Sequence, residues 1–339
     1  MVWSHLRNIH VLLIVLYTNT KLYHLFFIVS FLFLLSHKQA VAQDVLNNYT
    51  SRFEDKVNFN ENWSYQIALN DGLQLYIDLS RLNKGKEKLT TANLVFIKSK
   101  NESYQVSCQY PAPKYFQSKT SGPQYSVRFH KHISFTGDKQ EHSLSFFRNK
   151  KNIDYYVKLR FSKLQTGAPF IEKTIDKRSR TACAINFPFS QVSGIVAIAG
   201  DTLRVSGSGS LDHTYHSDLP VNLFSYGIRF FNVTDTCAGI VLVGKNKNDV
   251  YGSAVTINQG AIKYLKPLSF DKKKQTIIFD GTTIRFHDFQ EYHKWSVLDE
   301  LPGTMRKAAS LFTKDLINSR GTGKNAMDKP CLITKIEVK

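Results

Sequence analysis

The chain has 339 residues, with 45 Lys and Arg against 27 Asp and Glu, a formal net charge of +18. At 42% hydrophobic and 13% aromatic residues it is too apolar for a disordered protein. It has no collagen period and no heptad run, and beyond residue 42 no apolar stretch reaches the ~18 residues of a membrane helix.

Residues 1–42 read as a leader. They hold Arg7, Lys21 and Lys38 but no acid. The apolar run Leu25–Leu35 is followed by Ala40-Val41-Ala42, an A-x-A cleavage pattern. The competing reading is an uncleaved membrane anchor. The second basic start, just before Leu22, suggests that residues 1–20 precede the true start codon. Cleavage after Ala42 predicts an exported chain of 297 residues with net charge +15, periplasmic or secreted.

Export makes nucleic acid an unexpected partner. The basic residues are scattered in small clusters such as 148–151 and 272–274, which read as turn tips. The alternative is peripheral attraction to an anionic membrane surface or glycan. In an oxidising compartment Cys108, Cys183, Cys237 and Cys331 are disulfide candidates with three possible pairings, or buried thiols. Sequons begin at Asn48, Asn62, Asn101 and Asn232.

The pattern along the chain is β almost throughout. Ser64–Leu69 and Leu73–Leu79 flank Asn70-Asp71-Gly72, a hairpin turn. In the second run Leu73, Leu75, Ile77 and Leu79 alternate with polar positions, which predicts one buried face. Further strands are expected at Asn93–Ile97, Tyr104–Cys108, Tyr125–Phe129, Ser143–Phe147 and Tyr155–Phe161. The Pro-bearing, basic stretch Thr166–Pro188 reads as a connection. Strands resume at Gly194–Ala199, Leu203–Ser206, Leu223–Val233, Gly239–Val243, Ser253–Ile257, Gln275–Phe279 and Thr283–His287. Met305–Ile317 has helical spacing, and Leu332–Val338 reads as a closing strand. The expected fold class is all-β: two consecutive antiparallel barrels of about 145 residues each, with a helix near the C-terminus. The expected domains are residues 43–188 and 189–339.

Several motifs fail. Gly321-Thr322-Gly323-Lys324 has Asn318 and Asn325 where a phosphate loop needs Gly and Ser or Thr. Gly207-Ser208-Gly209 precedes a strand rather than a helix. His130 and His132 form at most a two-member metal pair. Neither cofactor nor metal is expected.

Residues 189–233 are the densest in unusual features. Gly207 and Gly209 fall on one strand face, where another backbone or a ligand can approach closely. Asp212 and His213 are adjacent, so on a strand they point to opposite faces. Two readings stand: Asp212 or His213 is a buried general acid, or the pair ties a loop to a barrel rim. The run Phe189-Ser190, Gly194, Gly200, Val205, Gly207-x-Gly209-x-x-Asp212-His213 resembles the AttH-type/hydroxyneurosporene synthase (carotenoid 1,2-hydratase) group. Glu61-Asn62-Trp63-Ser64-Tyr65 and Leu69-Asn70-Asp71-Gly72 are similar to that group's opening hairpin. The aromatic strand Leu223–Phe230 and the stretch from Tyr251-Gly252 to Gly260 fit its second barrel.

The resemblance implies two lipocalin-like barrels, with the G-x-G-x-x-D-H motif assigned to the C-terminal one. It also implies a hydrophobic small-molecule partner, a lipid or isoprenoid. Trp63, Tyr65, Gly207, Gly209, His216 and Tyr226 are the implied ligand-binding residues. In the hydratases an Asp at the position of Asp212 is associated with acid catalysis on an isoprenoid double bond; His213 and Tyr215 are the residues to orient it. The chain departs from the group after Asp212-His213, with Thr214, Tyr215 and His216 where a Trp and then Gly are usual.

Overall fold

The computed structural model describes residues 48–339 except 53–55, 176–178, 235–236, 247–248, 259–260 and 297–313. The leader lies outside the described residues, as does the expected helix up to residue 313; its last two positions, Leu316 and Ile317, open a strand instead. Strands make up 75% of the structure and helical turns 4%, so the chain is all-β. In chain order the strands are β1 Asn58–Leu69, β2 Gln74–Lys84, β3 Glu87–Ser99, β4 Glu102–Pro111, β5 Gln117–Ser121, β6 Gln124–His130 and β7 Ile133–Gly137. They continue with β8 His142–Lys150, β9 Ile153–Ser162, β10 Ala168–Thr174, β11 Arg180–Ile198, β12 Asp201–His216, β13 Phe224–Asn232 and β14 Cys237–Gly244. The last seven are β15 Val250–Asn258, β16 Ala261–Leu265, β17 Pro267–Asp271, β18 Thr276–Phe279, β19 Thr282–Ser296, β20 Leu316–Asn325 and β21 Pro330–Val338.

Two antiparallel sheets result, both curled or nearly closed. The first runs β4-β3-β2-β1-β12-β11-β9-β8-β7-β6-β5, with β10 added on β11. Its edges β4 and β5 are consecutive in sequence, joined by a helical turn at Ala112–Tyr115. Side chains link β3 and β4 at one end of the sheet to β6 at the other: Thr90 Oγ1 donates to the Phe129 carbonyl at 3.0 Å, and His130 stacks on Tyr110 at 4.0 Å. The second sheet runs β16-β15-β14-β13-β21-β20-β19-β18-β17. Its two edge strands are separated by Lys266 alone, whose carbonyl accepts from Asp280 N–H at 3.1 Å.

The hairpin at Asn70-Asp71-Gly72 forms as its residues dictate. Asp71 and Gly72 take φ of 58° and 74°, a left-handed pair that glycine and short polar residues tolerate. The alternation in β2 is present, but both faces are covered. Leu75, Ile77 and Leu79 enter the first barrel while Tyr76, on the other face, is buried as well. The second sheet packs there, and a one-chain pattern cannot register a partner more than 200 residues away.

The stretch 166–188 is not a connection. It contributes β10 and the first half of β11, which runs unbroken through Pro188. Residues 181–187 are buried on both faces, so no alternation marks them. Pro188 sits where the β11–β12 register shifts, a bulge that tolerates its missing N–H. β12 then pairs with β1 from Asn60↔His216 to Leu69↔Gly207. The seam between sheets therefore falls at residues 217–223, not at 188–189, and the G-x-G-x-x-D-H strand belongs to the N-terminal sheet.

The four cysteines are free, buried thiols. Cys237 and Cys331 flank Asn232 from opposite sides, two strands apart. Two strand spacings come to about 10 Å, beyond the ~7 Å Cα reach of a disulfide. Among the sequon asparagines, Asn48 and Asn232 are buried and Asn101 is exposed in the β3–β4 turn. No helix among the described residues is long and apolar enough to cross a membrane.

Candidate functional site

The site forms where β12 crosses β1. On β12, Val205, Gly209, Leu211 and His213 face the barrel interior, Gly207 lies on the same face but exposed towards the start of the strand, and Asp212 and His216 face the second sheet. The glycines act through their missing side chains. A Cβ on Gly207 would lie 2.1 Å from the Ala68 carbonyl, so a side chain there would force β1 away. A Cβ on Gly209 would press on Val192, Ile67 and Phe161.

His213 is wholly buried. Trp63 stacks on its ring at 4.3 Å and Phe170 meets it edge-on at 4.9 Å. Its Nδ1 lies 2.6 Å from the Asn48 carbonyl and its Nε2 3.0 Å from Glu61 Oε1. A carbonyl can only accept, so Nδ1 carries a hydrogen. The equally buried Glu61 carboxyl faces Nε2. Glu61 also accepts from Ser51 Oγ and from Arg52 N–H, each at 2.6 Å.

Deeper in the same interior, His142 joins two phenols: Tyr65 Oη at 2.8 Å from Nε2 and Tyr125 Oη at 2.7 Å from Nδ1. Burial pushes His142 down to about 3, so it is neutral. The surrounding wall is aromatic, with Phe135, Phe161 and Phe187 around the imidazole.

The other face of β12 has different chemistry. Asp212 is 3.2 Å from Arg229 Nε on β13. Burial raises its carboxyl to about 6, against the pull of Arg229. Nearby Asp78 on β2 pairs with Arg320 on β20 and accepts from Ser64 Oγ at 2.6 Å. These ion pairs form a strip between the two sheets. Apolar clusters flank it, one around Tyr76, Val95 and Phe231, the other around Cys183, Phe224 and Tyr251. Gln66 adds a hydrogen bond to Thr334 at 3.2 Å. His216 on this face contacts Thr181 Oγ1 at 2.8 Å and is pushed down to about 3 by burial.

The structure thus brings Trp63, Tyr65, Gly209 and His213 into the N-terminal barrel, while Gly207 lies exposed farther along β12, opposite Leu69. It places Asp212 and His216 on the opposite face, and Tyr215 beside Phe59 and Phe170 with its hydroxyl on Glu172 at 2.8 Å. Tyr226 lies apart, inside the second barrel, stacked on Phe270 at 5.1 Å. Glu61, His142, Tyr125 and Tyr49 escaped the sequence reading. Glu61 alone had a local signal, a carboxylate at an inward position of the opening strand. His130 ends β6 and His132 lies in the following turn, and among the described residues no group of three metal-ligating side chains forms.

Two curled antiparallel sheets in tandem, with inward aromatic strands, define a double-barrel fold. Among solved structures, the chain resembles a protein assigned as AttH from Nitrosomonas europaea, with a TM-score of 0.56 at 12% identity over 85% of this chain and 94% of that one. It also resembles CghA, at 0.57 and 10% identity over 85% and 93%, and CghA with Sch210972, at 0.56 and 11% identity over 83% and 89%. No family model matches the sequence, and neither does any curated protein. At these identities the likeness establishes the fold, and it agrees with the AttH-type resemblance carried by Val205–His213.

Proposed function

We propose that the protein binds a small, largely apolar molecule, a lipid or isoprenoid, in its N-terminal barrel. The observation that carries this reading is the Glu61–His213 pair. A carboxyl and an imidazole, both fully buried, sit inside an aromatic barrel whose strand ladders do not need them. Burying such a pair costs stability. A polar anchor for an otherwise apolar ligand accounts for it, with Trp63 and Phe170 supplying flat apolar contact. CghA, with the same fold, has been crystallised with the small molecule Sch210972. The leader-like residues 1–42 support a role outside the cytoplasm.

A second reading, a hydratase- or isomerase-type reaction at a double bond, is favoured by one feature of the same pair: an acid–base couple in direct contact, shielded from water. It moves the acid from Asp212, which is engaged with Arg229, to Glu61 and His213.

Native mass spectrometry of protein purified from its own host tests the binding reading. A co-purifying apolar molecule that is lost in His213→Phe supports it; repeated recovery of empty protein that binds no lipid or isoprenoid refutes it. The reactive reading is tested by Glu61→Gln and Asp212→Asn. Turnover of an isoprenoid or unsaturated lipid lost only in Glu61→Gln supports the Glu61–His213 pair, whereas loss only in Asp212→Asn returns the role to Asp212.

A further inference from the structure

The segment Asn48–Arg52 precedes β1 and joins no sheet, yet Asn48 and Tyr49 are buried. Tyr49 stacks on Tyr125 at 4.3 Å, with interplanar angle 14°. Its ring lies 6.1 Å from His142, and its hydroxyl donates to the Asn186 carbonyl at 3.2 Å.

Three side-chain N–H groups of the barrel converge on two main-chain carbonyls of this segment. Trp63 Nε1 donates to Tyr49 O at 3.0 Å. His213 Nδ1 and Asn186 Nδ2 donate to Asn48 O at 2.6 and 2.7 Å. Beyond them, Ser51 Oγ and Arg52 N–H both donate to Glu61, Ser51 N–H donates to Ser118 Oγ at 2.9 Å, and the Arg52 guanidinium lies 4.3 Å over Phe170. A planar ring and two oxygen acceptors from a non-strand segment therefore occupy the barrel's polar anchor points.

We propose that Asn48–Arg52 is a resident occupant of the ligand site, and that the ligand displacing it is a planar unsaturated acid, a polyene or aryl carboxylate. The inference rests on the binding reading above and deepens it. If the segment withdraws, Trp63 Nε1–H, His213 Nδ1–H and Asn186 Nδ2–H lose their acceptors inside an aromatic wall. Buried donors require replacement acceptors, and a carboxylate supplies two strong ones on one group. The place vacated by the Tyr49 ring takes a flat conjugated group against Tyr125. His142, being neutral, donates to one phenol and accepts from the other, so one of Tyr65 and Tyr125 keeps its O–H for the ligand. A saturated, flexible chain would fill the ring's place poorly.

The test uses cis-parinaric acid, a fluorescent planar polyene acid, with its methyl ester as control, against the full chain. The variants are Tyr49→Ala and a chain with residues 48–52 replaced by Gly and Ser. Both are expected to bind the acid at least tenfold more tightly than the wild type, with a smaller gain for the ester and loss of the gain on adding His213→Phe. Equal affinity in wild type and folded variants leaves barrel binding intact and overturns the resident-occupant inference. No binding by any folded form removes both readings. If the variants do not fold, hydrogen exchange in the wild type decides. Saturating acid should speed exchange of the Ser51 and Arg52 amides, and unchanged or slowed exchange overturns the inference.

Discussion

Glu61 is the hub through which the barrel wall, the His213 imidazole and the segment before β1 are joined, so its removal has a calculable cost. Its carboxyl lies 3.0 Å from His213 Nε2 and accepts from Arg52 N–H and Ser51 Oγ at 2.6 Å. Glu61→Ala leaves three donors facing a void. Ser51 can turn its hydroxyl away, but the Arg52 amide and the wholly buried imidazole cannot follow. Hydrogen bonds to charged groups contribute about 1.5–3 kcal/mol each, and breaking a buried pair costs about 3–5 kcal/mol, so about 3–5 kcal/mol is expected. Glu61→Gln keeps the volume and one acceptor. It forces an amide N–H towards His213 Nε2, which a neutral imidazole accommodates, so the expected cost is about 1–2 kcal/mol. Urea unfolding followed by circular dichroism measures both. The Glu61→Gln/His213→Phe double-mutant cycle should give a coupling above about 0.5 kcal/mol. A cost below about 1 kcal/mol for Glu61→Ala, or equal costs for the two single variants, would refute the hub.

The remaining predictions concern the seam, the buried histidines and the thiols. Arg320 is almost wholly buried and pairs with Asp78 across the sheets. Asp78→Ala should cost about 3–5 kcal/mol, and the double variant Asp78→Leu/Arg320→Met should recover most of it; a double variant no more stable than Asp78→Ala contradicts the pairing. His142 and His216 are each pushed down to about 3 from an ordinary 6.5. The folded protein then binds fewer protons than the unfolded chain. Their contribution is complete above about 6.5 and is lost as pH falls towards 3, at about 1.4 kcal/mol per pH unit per histidine. Asp212, raised to about 6 from 3.8, has the opposite slope between those values, so net stability still falls on acidification. His142→Gln should lose one histidine's share of that slope in thermal melts at stepped pH; an unchanged slope counts against a neutral His142. The thiols of Cys108 and Cys183 are raised by burial, the latter to about 12. A thiol reagent should leave the folded protein unlabelled and label four cysteines after unfolding without reductant; fewer would mean that a disulfide forms.

Local chemistry made part of this architecture legible. Short alternating runs and the Asn70-Asp71-Gly72 turn specify β structure, because the pleat and the left-handed turn positions act over a few residues. The period of two in Val205–His213 separates Asp212 from His213 before any partner is known, and the structure keeps them apart: one meets Arg229, the other Glu61 and Trp63.

What faces each residue was decided only by tertiary structure. His213 meets Glu61 and Asn48 across 152 and 165 residues of chain, and Tyr76 reaches the Gly321 carbonyl across 245. Residues 181–187 show no alternation because neighbours cover both faces, so a strand reads as a connection. The seam at 217–223 follows from β12 pairing with β1, and a pairing between distant strands leaves no mark in the local period of either. Tyr49 before β1 looks like ordinary linker sequence; only the folded barrel shows its ring against Tyr125 and its carbonyl on Trp63.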